Sequence, residues 1–248
     1  MKKIFENTLS NYFLKAVQII LNLIAIPVLI HNLGSEGFGV IMFAGVLVGY
    51  FSILEVGVAQ AVTKYVAEYI AKQEHTRLTS VLNTSIFFYG LLGSIVFVGT
   101  ALFVNFGGLE FFEISEENSS TAKNTFLLAG FIALFAWPKI PIEAAFRGLQ
   151  KFPILNLTVG IGRVISVTLA IVLASLEARI EYVFLAFNFD RLLLIFWQYS
   201  LLKKEIDFWR YKANTVSWKV FKKIFSFSGW IMLGQIAVVL EYQSDHLI

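Results

Sequence analysis

"LLAGFIALFAWPKIPIEAAFRGLQKF", residues 127–152, joins an apolar run long enough to cross a bilayer to Lys139, Glu143 and Arg147 at every fourth position. At helical pitch those three side chains share one stripe. In water the stripe would be an ordinary solvated face, but the surrounding sequence offers little water-compatible surface. Hydrophobic residues make up 57% of the 248 positions and charged ones 15%, with a mean hydropathy of +0.72. Soluble domains run at about 45–50% apolar and about 25% charged. The excess is gathered into repeated runs of roughly 20 residues, the length that spans a hydrocarbon core as helix. Spans are predicted at roughly 8–31, 38–61, 81–105, 125–147, 152–175, 182–202 and 224–248. The fold class is therefore all-α, a polytopic membrane helix bundle.

Charge placement predicts the topology. With the N-terminus cytoplasmic, the cytoplasmic side holds Lys2, Lys3, Lys64, Lys72, Arg77, Arg147, Lys151, Lys203, Lys204, Arg210, Lys212, Lys219, Lys222 and Lys223. The opposite side holds Lys123 and Arg179. Such asymmetry orients membrane proteins with the basic loops inside. The pI near 9.0 then reflects topology and contact with anionic membrane lipids, and nucleic acid is not an expected partner.

The first 30 residues begin "MKKIF", yet Lys15, Gln18 and Asn22 interrupt any short signal-peptide core and no A-x-A site follows. They read as a retained first span. The chain has no cysteine, which rules out disulfides and thiolate metal sites. Residues 105–124 form an acidic, polar outward loop, and the segment around 204–223 mixes lysines with Trp209, Tyr211 and Trp218, as suits the headgroup layer. "KKIF" opens both the first span (2–5) and the seventh (222–225). A second copy of a six-helix unit starting near 220 would fit the parallel-repeat plan of many transporters. The expected organisation is a six-helix bundle over 1–203, a cytoplasmic connector over 204–223, and the first helix of a second, truncated bundle over 224–248.

Polar residues inside the spans are the candidate functional groups, because a charge at mid-bilayer costs about 2.5–3.5 kcal/mol by insertion scales. The first span carries Asn11, Lys15, Gln18 and Asn22 on one stripe. The fifth carries Asn156 and Arg163, and the sixth Asp190, Arg191 and Gln198. Glu55 lies in the cytoplasmic third of the second. Pro138 and Pro141 each remove a backbone donor, so the fourth span is expected to kink or break and to line a cavity. Two readings stay open. The cations Lys15, Lys139, Arg163 and Arg191 converge on a wet cavity, or they are neutralised pairwise by Glu55, Glu143 and Asp190.

"IPVLIHNLGSEGFGVIMFAGVLVGYFSILEVGVAQAVTKYVAEY", residues 26–69, resembles the opening of the polysaccharide transporters. These are the O-antigen and capsule repeat-unit flippases of the multidrug/oligosaccharidyl-lipid/polysaccharide exporter superfamily. The likeness rests on Pro27, on the turn Leu33, Gly34, Gly37, Phe38, Gly39, and on "LEVGVAQAVTKYVAE" at 54–68. "AFRGLQKF" (145–152) is similar to the connection between fourth and fifth spans, and residues 225–248, with Asp245, to the start of the second half. Glu55 stands where an aspartate is more frequent. The resemblance implies two six-helix bundles around a cationic cavity in the bacterial cytoplasmic membrane. It also implies export of an undecaprenyl-pyrophosphate-linked oligosaccharide by alternating access.

On that reading Arg163, Arg191, Lys139 and Lys15 hold the pyrophosphate, since guanidinium and ammonium groups bind it by charge-assisted hydrogen bonds. Gln18, Asn22, Gln198 and Asn156 line the cavity, and Glu55, Asp190 and Glu143 are the candidates for ion or proton coupling. Partners are the lipid-linked oligosaccharide, membrane lipids and other glycan-assembly membrane proteins. No cofactor is expected. A multidrug exporter of the same superfamily is the nearest alternative and a membrane-embedded glycan ligase or polymerase the next. The chain reads as a non-enzyme: His31, His75 and His246 lack metal-ligand spacing, and no phosphate loop or nucleophile elbow is present.

Overall fold

The computed structural model describes residues 2–49, 52–109 and 116–229. Helices follow one another as α1 (Lys2–Gly49), α2 (Ser52–Ala71), α3 (His75–Asn105), α4 (Glu116–Gly148), α5 (Phe152–Ser175), α6 (Ile180–Phe187) and α7 (Phe189–Glu205). A 3₁₀ turn at Ala213–Thr215 leads to a further helix, α8, described over residues 218–229. No strand occurs among the described residues. The expected second span falls on the end of α1 and on α2, and most of the seventh lies outside the described residues.

At 48 residues and 1.5 Å per residue, an unbroken α1 would reach roughly 70 Å, more than twice a bilayer core. It breaks at Gly34, whose φ of 72° and ψ of 171° are non-helical. A Cβ added there would touch nothing within 4 Å, so it is backbone freedom, not space, that requires glycine. This is the Leu33–Gly39 turn expected from the sequence.

Among the described residues four helices are long and apolar enough to cross a membrane: Phe5–Gly45, His75–Asn105, Ser119–Gly148 and Phe152–Ser175. The sixth span, expected as one helix, is two, because the chain leaves helical geometry at Asn188 (φ −111°, ψ 12°) between α6 and α7. The fourth behaves oppositely. α4 stays helical through Pro138 and Pro141, so the break expected there is absent. The discontinuity at membrane depth sits on the sixth span.

α4 is the axle of the bundle, packing against α1, α2, α3, α5, α6 and α7. Of its most apolar window 56% is buried, against 11% for the first span, which places α1 at the rim. Small residues let α3 and α4 approach closely: a Cβ on Gly93 would fall 2.8 Å from the Ala133 carbonyl oxygen. In hydrocarbon such close packing takes over from the hydrophobic effect as the glue between helices.

Two apolar clusters form the core. One gathers Ala25, Leu29, Val96, Phe126, Ile132, Trp137, Val167 and Phe184. The other gathers Val62, Tyr65, Val66, Leu78, Leu82, Phe146, Leu202 and Trp209. Val58 and Ile140 touch both. The second cluster lies toward the end where the connector joins, called the basic end below. The first lies toward the far end, formed by the last turn of α3 and the starts of α4 and α6.

Candidate functional site

Polar side chains within the helices gather into two separate knots. The first joins α4, α5 and α7. Lys139 Nζ lies 2.5 Å from Glu143 Oε1, and Arg147 Nη2 lies 3.3 Å from Glu143 Oε2. One turn apart on a helix, the three are placed by spacing alone to pair as they do. Gln198 of α7 stands close enough to Glu143 to act on its carboxylate. It also donates from Nε2 to Thr158 Oγ1 of α5 at 3.1 Å. Lys139 therefore contributes no unpaired charge, and Glu143 is shared between two cations.

The second knot sits at the break in the sixth span. In a continuous helix the carbonyl of Phe187 would accept the N–H of Arg191. Here that N–H turns back to Asn188 O at 3.0 Å, which leaves Phe187 O without its helical donor. Arg163 of α5 supplies one: its Nη1 donates to Phe187 O at 2.9 Å while the guanidinium lies over the Phe187 ring, 4.2 Å from its centroid. Nη2 reaches Asn22 Oδ1 on α1 at 3.3 Å. Asp190 and Arg191 stand within electrostatic range of Arg163. The Asp190 backbone N–H donates to Ser166 Oγ at 2.6 Å, and its Oδ1 is buried without a hydrogen-bond partner among the described residues. Arg191 and Lys15 form no ion pair among the described residues.

The α1 stripe runs between the knots and the rim. Asn156 of α5 donates to Asn11 Oδ1 at 2.6 Å and to Ser10 Oγ at 3.0 Å, tying the two helices together. Above it lies an apolar groove of about 860 Å³ walled by Phe13, Val17, Leu157, Ile161 and Val164. Lys15 is exposed beside Asn11 and Tyr12, Gln18 is half-buried and Asn22 is exposed. The structure thus brings Asn22, Arg163, Asp190 and Arg191 into one neighbourhood and Lys139, Glu143 and Gln198 into another. It leaves Lys15 and Gln18 on the outer face of α1. The Glu55 side chain and Asp245 lie outside what the structure describes.

Three features escape sequence reasoning. Asn188 ends a helix within the span expected over 182–202. Buried Asn83 of α3 accepts from Trp209 Nε1 at 2.9 Å and donates to Arg210 O at 3.1 Å and Thr215 Oγ1 at 2.7 Å, clasping the connector. At the far end Glu181 Oε1 accepts from Arg179 Nη2 at 2.6 Å and from Asn124 Nδ2 at 3.2 Å. Each depends on partners 57 to 132 residues away in the chain or on a backbone turn, which local spacing does not encode. At the basic end, outside the spans, a hydrogen bond between Lys72 and Glu68 holds the carboxyl below its ordinary value and the ammonium above. Among the described residues no group of three or more His, Asp or Glu could hold a metal ion.

A multi-pass all-α membrane bundle with polar side chains knotted at membrane depth is the class of protein that these features define. The chain belongs to the polysaccharide biosynthesis protein family, which it matches over residues 4–248. It is 28% identical over 248 residues to a Shigella flexneri protein named "Putative O-antigen transporter", covering 99% of this chain and 57% of that one. It is 25% identical over 232 residues to the "Uncharacterized membrane protein EpsK" of Bacillus subtilis (strain 168), covering 89% and 44%. The chain thus spans about half the length of these curated relatives. No solved structure matches it.

Proposed function

We propose that this chain is part of a flippase that carries undecaprenyl-pyrophosphate-linked O-antigen or capsular repeat units across the cytoplasmic membrane. The observation that carries the reading is the polar path through Asn22, Arg163 and Arg191 at the break in the sixth span, beside an α1 helix that bears Lys15 and Gln18 on its outer face. Its cations are free of carboxylate ion pairs among the described residues. A lipid-facing lysine or arginine at mid-depth costs about 2.5–3.5 kcal/mol, so such a path is tolerated where it borders water or an anionic ligand. Lys15 and Arg191 are the groups left to meet a pyrophosphate. Lys139 enters as a pair with Glu143. Among the proposed coupling acids, Asp190 is the one whose described oxygen lacks a partner.

In this reading the break at Asn188 gives the sixth span a place to bend, so that the path opens to either side in turn. The N-terminus lies on the cytoplasmic side, and transport, not catalysis, is the activity. The test is surface-glycan assembly in a strain lacking the gene and complemented with the full-length protein. Lys15→Ala with Arg191→Ala is expected to abolish assembly while membrane abundance stays constant. Normal glycan from the double variant overturns the reading. Altered drug susceptibility in its place favours the multidrug exporter.

A further inference from the structure

We propose that Glu181, Asn124, Arg179 and Tyr182 form a subsite for a neutral sugar ring at the far end of the bundle, a proposal that rests on the transport reading above. The four residues line a cavity of about 360 Å³ together with Leu127 and Leu128, within the roughly 300–1,000 Å³ usual for small-molecule sites. None of them belongs to the two knots inside the spans.

Glu181 is only 4% exposed, and a carboxylate that deep is normally satisfied at both oxygens. Its Oε1 is, by Arg179 at 2.6 Å and Asn124 at 3.2 Å. Its Oε2, in contrast, has no hydrogen-bond partner among the described residues. The protein thus holds a fixed, desolvated acceptor and leaves half of it unused, at the wall of a cavity. The Arg179 side chain is mostly exposed, and Asn124 is exposed too. Both can keep one donor on Glu181 and turn others to a ligand.

The chemistry selects the ligand class. One guanidinium and one carboxylate cancel, so neither a phosphate nor an ammonium group gains net attraction here. A vicinal diol does: one hydroxyl donates to the carboxylate while a neighbouring oxygen accepts from the amide or guanidinium. Tyr182 stands beside them 55% exposed, a flat apolar ring with a polar tip on which the C–H face of a pyranose can lie. Carboxylate, amide, guanidinium and exposed ring around one small cavity are the groups that a hydroxylated ring needs. On the transport reading, the ring is that of a glycan arriving at the exit side.

The test is saturation-transfer NMR on the full-length protein in nanodiscs, with the methyl glycosides of glucose, galactose, N-acetylglucosamine and rhamnose as probes. Wild type is expected to transfer saturation to at least one of them. Glu181→Gln, Asn124→Ala and Tyr182→Ala are each expected to weaken that transfer about five- to ten-fold, the loss of one hydrogen bond or ring contact. Tyr182→Phe, which keeps the ring, and Lys72→Ala at the other end are expected to retain it. No transfer from wild type, or transfer unchanged in the three weakening variants, overturns the subsite. Where Glu181→Gln fails to assemble into discs, Asn124→Ala and Tyr182→Ala decide. Glycoside binding without glycan assembly leaves the subsite standing and removes the transport reading. Assembly without binding does the reverse.

Discussion

Arg163 shows how one side chain at membrane depth can be committed by the backbone around it. Its donors go to a carbonyl stripped of its helical partner at 2.9 Å and to Asn22 at 3.3 Å. Arg163→Ala would leave Phe187 O unsatisfied in a low-dielectric setting, a loss of about 1–3 kcal/mol. Faster hydrogen exchange at Arg191 and Leu192 should report it, with Arg163→Lys intermediate because an ammonium still donates. Unchanged exchange in the alanine variant would show that the carbonyl finds another donor. Gly34 is committed in a different way. Alanine at φ 72° meets a left-handed backbone and should cost about 1 kcal/mol or more. Gly45, which has open space and no positive φ, should tolerate alanine or gain by it, since alanine is the better helix former. Thermal unfolding in detergent compares the two. Intramembrane arginine and loop glycine were both legible in the sequence as exceptional residues. What Arg163 touches was not, because Phe187 lies 24 residues on and on another helix.

At the scale of elements, composition and helix geometry disagree in an instructive way. The span predicted at roughly 152–175 coincides with α5, Phe152–Ser175, whose first turn accommodates Pro153. The sixth span coincides with no single helix. In "VFLAFNFDRLLLIF" Asn188, Asp190 and Arg191 interrupt the apolar run, but a membrane helix can carry polar residues unbroken, so they do not by themselves foretell the helix end at Phe187. The two prolines of α4 misled in the other direction. A proline costs a helix its donor and a steric clash, but in a membrane neighbouring helices can hold the backbone in helical form, and α4 packs against six other helices. The connector is likewise more fixed than a headgroup-layer segment would be. Trp209 is fully buried, whereas Trp218 is 58% exposed, and Asn83 makes the clasp. Asn83→Ala should release residues 206–217. Trypsin cleavage after Arg210 and Lys212 should then accelerate by about ten-fold or more, from the loss of several buried hydrogen bonds at about 1 kcal/mol each. Ser200→Ala, an exposed change on α7, is the control. Equal cleavage rates would mean that the connector is held by packing of Trp209 alone.

Across the whole molecule, the arrangement of charge is what separates a cavity lining from a set of internal pairs: Lys139 is paired with Glu143, whereas Lys15 and Arg191 form no ion pair among the described residues. Composition revealed that the charges are inside a membrane bundle and helical spacing that Lys139, Glu143 and Arg147 share a stripe. Neither revealed that Gln198 of α7 comes near Glu143 and bonds Thr158 of α5, because which helices are neighbours is a tertiary property. Lys139 and Glu143 are about 15% and 14% exposed at their side chains, deep enough that the pair is dehydrated but not free to be split. Removing one partner of such a pair strands the other and costs about 3–5 kcal/mol, whereas replacing both with apolar groups of similar size is often neutral. Glu143→Ala should therefore lower membrane abundance and thermal stability, and Lys139→Met combined with Glu143→Leu should restore most of both. If the double variant also restores glycan assembly, the pair is a packing device. The anion-handling role then falls to Lys15 and Arg191. If stability returns while assembly stays lost, Lys139 is an ammonium that the transport cycle must unpair from Glu143. The ion pair would then be the resting state of a working group and not a structural endpoint.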